Sequence, residues 1–150
     1  MKLEQEIKME KFRSQFQKAY LNIIFTGNWM EAKTDALLKP FDISHQQYNV
    51  LRILRGQQGE AINLYEVQER MLNKMSNATR LVEKLRQKGL VTREQCASNR
   101  RKVEIAITPK GLDLLNRIDP LMQEQEEKYF GRVSEQEAEL INRILDRIHE

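Results

Sequence analysis

Residues 76–89, SNATRLVEKLRQKG, constrain the fold of this chain more than any other stretch. Ser76 has the chemistry of a helix N-cap and Gly89 that of the residue just past a C-cap, so the two bracket about three and a half turns of helix. Ala78, Leu81, Val82 and Leu85 recur at the i, i+3, i+4, i+7 spacing and share one apolar face. Arg80, Lys84 and Gln87 fall opposite, with Ser76 and Asn77 at the leading end. Such a helix docks on a core by one side and offers the other to an anionic polymer. Taken alone, the pattern is more often an ordinary amphipathic surface helix, so its neighbours decide.

Immediately after it, the hydrophobic period changes from about 3.6 to 2. Residues 90–93 read as a strand, and residues 102–107 alternate, with Val103, Ile105 and Ile107 to one side. A polar loop over 94–101, ending in Asn99-Arg100-Arg101, makes this a two-stranded hairpin with a basic tip. On the upstream side, Asn63 with Glu66 marks a helix start, and Leu64, Val67, Met71 and Leu72 supply its apolar face. Only residues 73–75 separate that helix from the next. A short helix, a tight turn, a cationic helix and a hairpin together have the form of a winged helix-turn-helix.

The flanks are helical. Met9, Phe12, Phe16, Ala19, Tyr20 and Ile23 give a helix over about 4–27 that stops at Gly27; the segment 28–39 is mixed and irregular at first, and Pro40 disfavours a helix through Lys39. Ser44-His-Gln-Gln47 has the form of a capping box and opens a helix carrying Tyr48, Leu51 and Leu54. Thr108-Pro109 starts a long helix, kinked at Pro120 and ended by Gly131. A second capping box, Ser134 to Glu137, opens a last helix bearing Leu140, Ile141, Ile144, Leu145 and Ile148. The expected fold is mainly α with a small two-stranded β wing, in one domain of residues 1–150. Its DNA-binding module covers about 44–107, flanked by dimerisation helices at about 1–40 and 110–150. Burying the five aliphatic side chains of the last helix is worth roughly 7–15 kcal/mol. A second copy of the chain is the economical cover for such a stripe.

Charge points the same way. From Arg70 to Lys102 there are ten basic residues against two acidic ones, a net +8 inside a chain of net +3, so the remainder is acidic. That is a cationic module in an acidic frame, which favours a polyanionic partner. Cys96 is the single cysteine, so no internal disulfide forms; an incidental thiol is the expectation, with a redox role the sharper alternative. No apolar run reaches membrane-spanning length, which implies no membrane association and a cytoplasmic protein. A glycine-rich phosphate loop, a His-Glu-x-x-His motif and a nucleophile elbow are all missing, and two distant histidines make no metal cluster. The expectation is no enzyme, no catalytic residue, no cofactor and no metal.

Several blocks in order then support a family assignment: Phe41-Asp-Ile-Ser-His-Gln-Gln-Tyr, Ala78-Thr-Arg-Leu-Val-Glu-Lys-Leu with Lys88-Gly-Leu-Val, and residues 103–107 running into Thr108-Pro-Lys-Gly111. In these the chain resembles the MarR family of winged-helix transcription regulators over essentially its full length. The resemblance implies a homodimer gripping a pseudo-palindromic duplex, acting as a ligand-responsive repressor. It places Ser76, Asn77, Thr79 and Arg80 at base-facing positions and Asn99, Arg100 and Arg101 at the wing tip, Arg101 entering the minor groove. Asn99 departs from the usual aspartate and brings no charge to brace the neighbouring arginines. Lys84 and Lys102, with Lys74, suit phosphates. Phe25, Trp29, Phe41, His45 and Tyr48 mark an expected crevice for a small aromatic or anionic effector, plain packing being the alternative. The competing function is a winged-helix protein-interaction module without a specific DNA target.

Overall fold

The computed structural model describes residues 2–150, with the backbone alone at Arg100. Two compact units divide it, residues up to Leu112 and Asp113–Glu150.

The first unit opens with a short helix α1 (Leu3–Glu6), whose Glu4 carboxylate pairs with Lys18. The next helix, α2 (Gln15–Leu38), corrects two expectations. It begins at Ser14, whose hydroxyl accepts the Gln17 N–H at 3.1 Å, rather than near residue 4. It also runs straight through Gly27. A Cβ at Gly27 would meet nothing within 4 Å, so that glycine costs the helix only about 1 kcal/mol relative to alanine and breaks nothing. The segment expected to be irregular is therefore helix up to the 3₁₀ turn Lys39–Phe41. Pro40 lacks the N–H that would extend the ladder, and Asp42 then takes the left-handed conformation at φ 56°.

Helix α3 (His45–Arg55) opens on the expected capping box: the Ser44 hydroxyl accepts from Gln47 N–H and the Gln47 side chain accepts from Ser44 N–H. Tyr48, Val50, Leu51 and Leu54 are its buried face. Strand β1 (Ile62–Asn63) leads into α4 (Leu64–Arg70), where Asn63 and Glu66 form the next capping box. Val67 and Met71 are buried as expected, but Leu72 is 89% exposed. The chain leaves helical geometry at Met71 (φ −61°, ψ 136°), so the helical spacing no longer applies to Leu72.

Helix α5 (Ala78–Gln87) buries Ala78, Leu81, Val82 and Leu85, the predicted face. Gly89 ends it at φ 72° in a Schellman arrangement, with Leu90 N–H donating to Leu85 O and Gly89 N–H to Arg86 O. The wing differs in extent. Strand β2 (Val91–Cys96) continues three residues beyond the expected strand, and β3 (Asn99–Ile107) starts at the expected loop's end, leaving Ala97 and Ser98 as the turn. The polar residues 94–96 pair because a solvated wing needs no alternating burial to hold its ladder. Strand β1 adds a third strand, antiparallel to β3 with Ile62 opposite Ile105, so the sheet order is β1-β3-β2.

Helix α6 (Pro109–Phe130) starts on Thr108, whose hydroxyl accepts the Gly111 N–H and donates to Gly89 O. It enters the second unit at Asp113 and continues through Pro120. There α7 (Glu135–Ile148) opens on the Ser134–Glu137 capping box and buries none of its residues; Leu140, Ile141, Ile144 and Ile148 are all exposed.

Candidate nucleic-acid interface

The leading end of α5 is built differently from the expectation at one residue. Asn77, not Ser76, is the N-cap: its side-chain oxygen accepts the Arg80 N–H at 3.1 Å. Ser76 closes the preceding turn, with its N–H donating to Asn73 O. Its side chain is turned inward, 8% exposed, and its hydroxyl meets no partner. A buried hydroxyl cannot reach a base edge, so Ser76 drops out of the exposed set. Asn77, Thr79, Arg80 and Lys84 are exposed. Capping occupies the Asn77 oxygen and leaves its amide N–H₂ as a donor.

The cations of the module divide into two groups. Arg86 donates two hydrogen bonds to Glu83, at 2.9 and 2.6 Å, and Arg93 lies 3.8 Å from the same carboxylate. These contacts hold the Glu83 carboxyl below its usual range, the Arg86 hydrogen bond contributing most, then the charges of Arg86 and Arg93. The Lys74 ammonium donates to Glu69 O and that of Lys88 to Asp42 O. By contrast, Arg80, Lys84, Arg101 and Lys102 are exposed and hold no ion pair among the described residues. The cationic count in the sequence thus overstates the charge that is free to meet a partner.

At the wing, the Asn99 side-chain oxygen accepts the Arg101 N–H at 3.0 Å. Asn99 carries no charge, and its oxygen braces the backbone of the wing. The Arg100 side chain lies outside the described residues. Cys96 lies beside Ser98, Sγ to Oγ 3.1 Å, and this contact, with the Ser98 and Asn99 backbone, lowers its pKa.

None of the five residues expected around an effector crevice lines the crevice of the first unit described below. Tyr48 is buried with the Arg52 guanidinium 5.9 Å from its ring, Phe25 and Phe41 are half-buried, and Trp29 lies exposed beneath Lys33. His45 is engaged by Asp35. A crevice of about 1010 Å³ exists elsewhere, lined by Asp35, Lys39 and Gln47 on one side and Arg80, Lys84 and Gln87 on the other. Trp29 is left on a helix face and Tyr48 is taken up by packing, whereas the crevice opens where the end of α2 and the start of α3 face α5, with Ala36, Ile43 and Leu81 among its walls. No local sequence signal marks such a meeting.

A short helix, a hydrogen-bonded turn, an exposed cationic helix and a β-hairpin braced by a third strand define a winged helix-turn-helix protein. The sequence pattern of the MarR family matches residues 43–103, which is this module. The MarR transcription factor from Planctomyces limnophilus has a crystal structure 32% identical in sequence, with TM-score 0.69, covering 91% of this chain and 98% of that one. The chain belongs to the MarR family of transcription regulators. The repressor IacR of Pseudomonas putida is 27% identical over 112 residues, 75% of this chain and 66% of that protein. The chain spans about half to two thirds of the length of the first curated regulators it matches. The fold is also that of Staphylococcus aureus MepR in its DNA complex, at 23% identity and TM-score 0.74, covering 90% of this chain and 96% of that one.

Proposed function

We infer that this chain is a sequence-specific binder of double-stranded DNA that regulates transcription as a homodimer in the cytoplasm, and that it acts by occupancy rather than by catalysis. The observation that carries this reading is the segregation of unpaired charge. Arg80 and Lys84 on α5, and Arg101 and Lys102 on the wing, are exposed while their cationic neighbours are internally engaged. Arg80, with the Asn77 amide and Thr79, reads base edges. Lys84 and Lys102 neutralise phosphates, and Arg101 enters the minor groove. Repression is the sense supported by IacR, and the MepR–DNA complex supports DNA as the partner.

The apolar faces of α2 and α7 support the dimer. Phe16, Tyr20, Ile23, Leu140, Ile141 and Ile144 are large side chains left in water. A two-fold pair covers such faces and sets two recognition helices on successive major grooves, about 34 Å apart. The deciding experiment is titration of specific and random duplexes across salt. Specific binding gives a steep log–log dependence plus a sequence-dependent difference in affinity. Arg80→Ala costs about 1–3 kcal/mol and relaxes sequence preference, whereas Lys84→Ala weakens all duplexes alike and flattens the salt slope by about one. Equal losses on specific and random duplexes for Arg80→Ala would refute the assignment.

The crevice supports a regulatory reading. A small anionic effector held there lies against Arg80 and Lys84, the two side chains assigned to DNA, so effector and duplex compete. A protein–duplex complex challenged with aromatic carboxylates then releases DNA. Release that survives Lys39→Ala and Gln47→Ala unchanged argues against this crevice as the site.

A further inference from the structure

Met75 is the most exposed large apolar side chain among the described residues, 92% accessible, and it stands two residues before the N-cap of α5. Turn positions ordinarily carry Gly, Asn, Asp or Ser; a methionine there exposes a long apolar side chain where a small polar residue would serve. The turn itself is well fixed. The Met75 N–H donates to the Asn73 side-chain oxygen at 2.9 Å, and the Ser76 N–H to Asn73 O at 3.1 Å. On one flank the Leu72 N–H is held by Asn49; on the other, Gln68 bridges Lys74 O and the Ala78 N–H. Met75 is thus a flexible, polarisable side chain on a backbone tied from both ends.

The polar readers beside it are depleted. Ser76 is buried, and the Asn77 oxygen is spent on capping. What remains exposed at this end of the helix is one amide donor, Thr79, Arg80 and an apolar tip. In the major groove the apolar feature that distinguishes one base from the rest is the thymine 5-methyl group. We propose that Met75 is a specificity-determining residue that contacts a thymine methyl in each half-site, beside the base read by Arg80. This rests on the reading of α5 as the DNA-recognition helix and adds a second, apolar mode of readout to it.

The test uses the full chain and duplexes recovered from a random pool. Each thymine of the shared sequence is replaced singly by deoxyuridine, which deletes only the methyl group. At one position the replacement weakens wild-type binding about fourfold, the worth of one buried methyl. Met75→Ala no longer distinguishes thymine from deoxyuridine there, while Arg80→Ala still does. Because Met75 is exposed, the variant melts like wild type. A wild-type protein indifferent to every deoxyuridine, or a Met75→Ala variant that keeps the penalty, overturns the proposal and leaves the regulator reading standing. Recovery of no shared sequence overturns both.

Discussion

Asp35, near the end of α2, holds His45, the first residue of α3, by two atoms at once. Its Oδ1 accepts the His45 backbone N–H at 2.7 Å and its Oδ2 lies 2.8 Å from the ring Nδ1. The first N–H groups of a helix have no partner within it, and a carboxylate there also meets the positive end of the helix dipole. Asp35 therefore acts as a second cap on α3 from another helix, beside the local Ser44–Gln47 box. Its side chain is 45% exposed, which screens the charge and holds the gain to about 1 kcal/mol. Asp35→Ala is expected to lower the melting temperature by about 2–4 °C. Asp35→Asn, which keeps an oxygen acceptor, should lose less. Identical melts for the three proteins would rule out the cap.

Glu83 restrains two of the arginines that the sequence offers to DNA. Glu83→Gln should free Arg86 and Arg93 and remove a negative charge from the recognition helix. Binding to specific and random duplexes alike should tighten, and the slope of log affinity against log salt should steepen by about one. A glutamate whose folded pKa is depressed stabilises the protein above its unfolded pKa, and that contribution disappears as pH falls through the lower, folded value. The difference in melting temperature between wild type and Glu83→Gln should therefore close as pH falls below about 4.5. A weaker complex for the variant would show that Glu83 positions the arginines for DNA instead of withholding them.

How much of this was legible depends on the range over which each feature is determined. The boxes at Ser44–Gln47, Asn63–Glu66 and Ser134–Glu137 are chemistry within four residues, and each lies where the sequence indicates. The buried face of α5 follows from period alone. Ser14 with Gln17 was an equally local helix start that the longer apolar pattern masked, while Gly27 looked like a stop only because its surroundings were unknown. Ser76 and Asn77 are both good caps, and the choice fell to the turn that buries one of them. Strand β1 is two residues long, too short for any period. Which arginines are free, and where a crevice opens, are properties of facing surfaces and have no local signature.

Gly111 is needed for closeness, not for conformational freedom. A Cβ there would lie 2.4 Å from Leu90 O and 2.7 Å from Ile107 Cγ1, at the point where the first turn of α6 crosses the base of the wing. A backbone oxygen cannot rotate away, so Gly111→Ala forces the helix off the hairpin at a cost of about 1–3 kcal/mol. Gly27→Ala is the matched contrast. With open space around it, the substitution should stabilise by roughly 0.5–1 kcal/mol by improving helix propensity. Urea midpoints should move in opposite directions for the two variants, and a shared direction would contradict this account.

Helix α7 presents Leu140, Ile141, Ile144 and Ile148 to solvent in the isolated chain, with Leu145 half-buried. Its capping box and i,i+4 pair Arg143–Glu139 stabilise it as a helix, but neither provides cover for the apolar face. If a second copy provides it, Ile144→Lys places an unpaired ammonium inside the seam, where desolvation outweighs anything the side chain can recover. Sedimentation should then show a monomer at concentrations where wild type is a dimer. Affinity for a two-half-site duplex should fall tenfold or more, because each recognition helix binds alone, while a single half-site is bound equally by both proteins. A surface substitution such as Arg143→Ala, on the polar side of the same helix, should leave mass and affinity unchanged. An Ile144→Lys protein that sediments as a dimer and binds like wild type would mean that this face is covered by something other than its own copy.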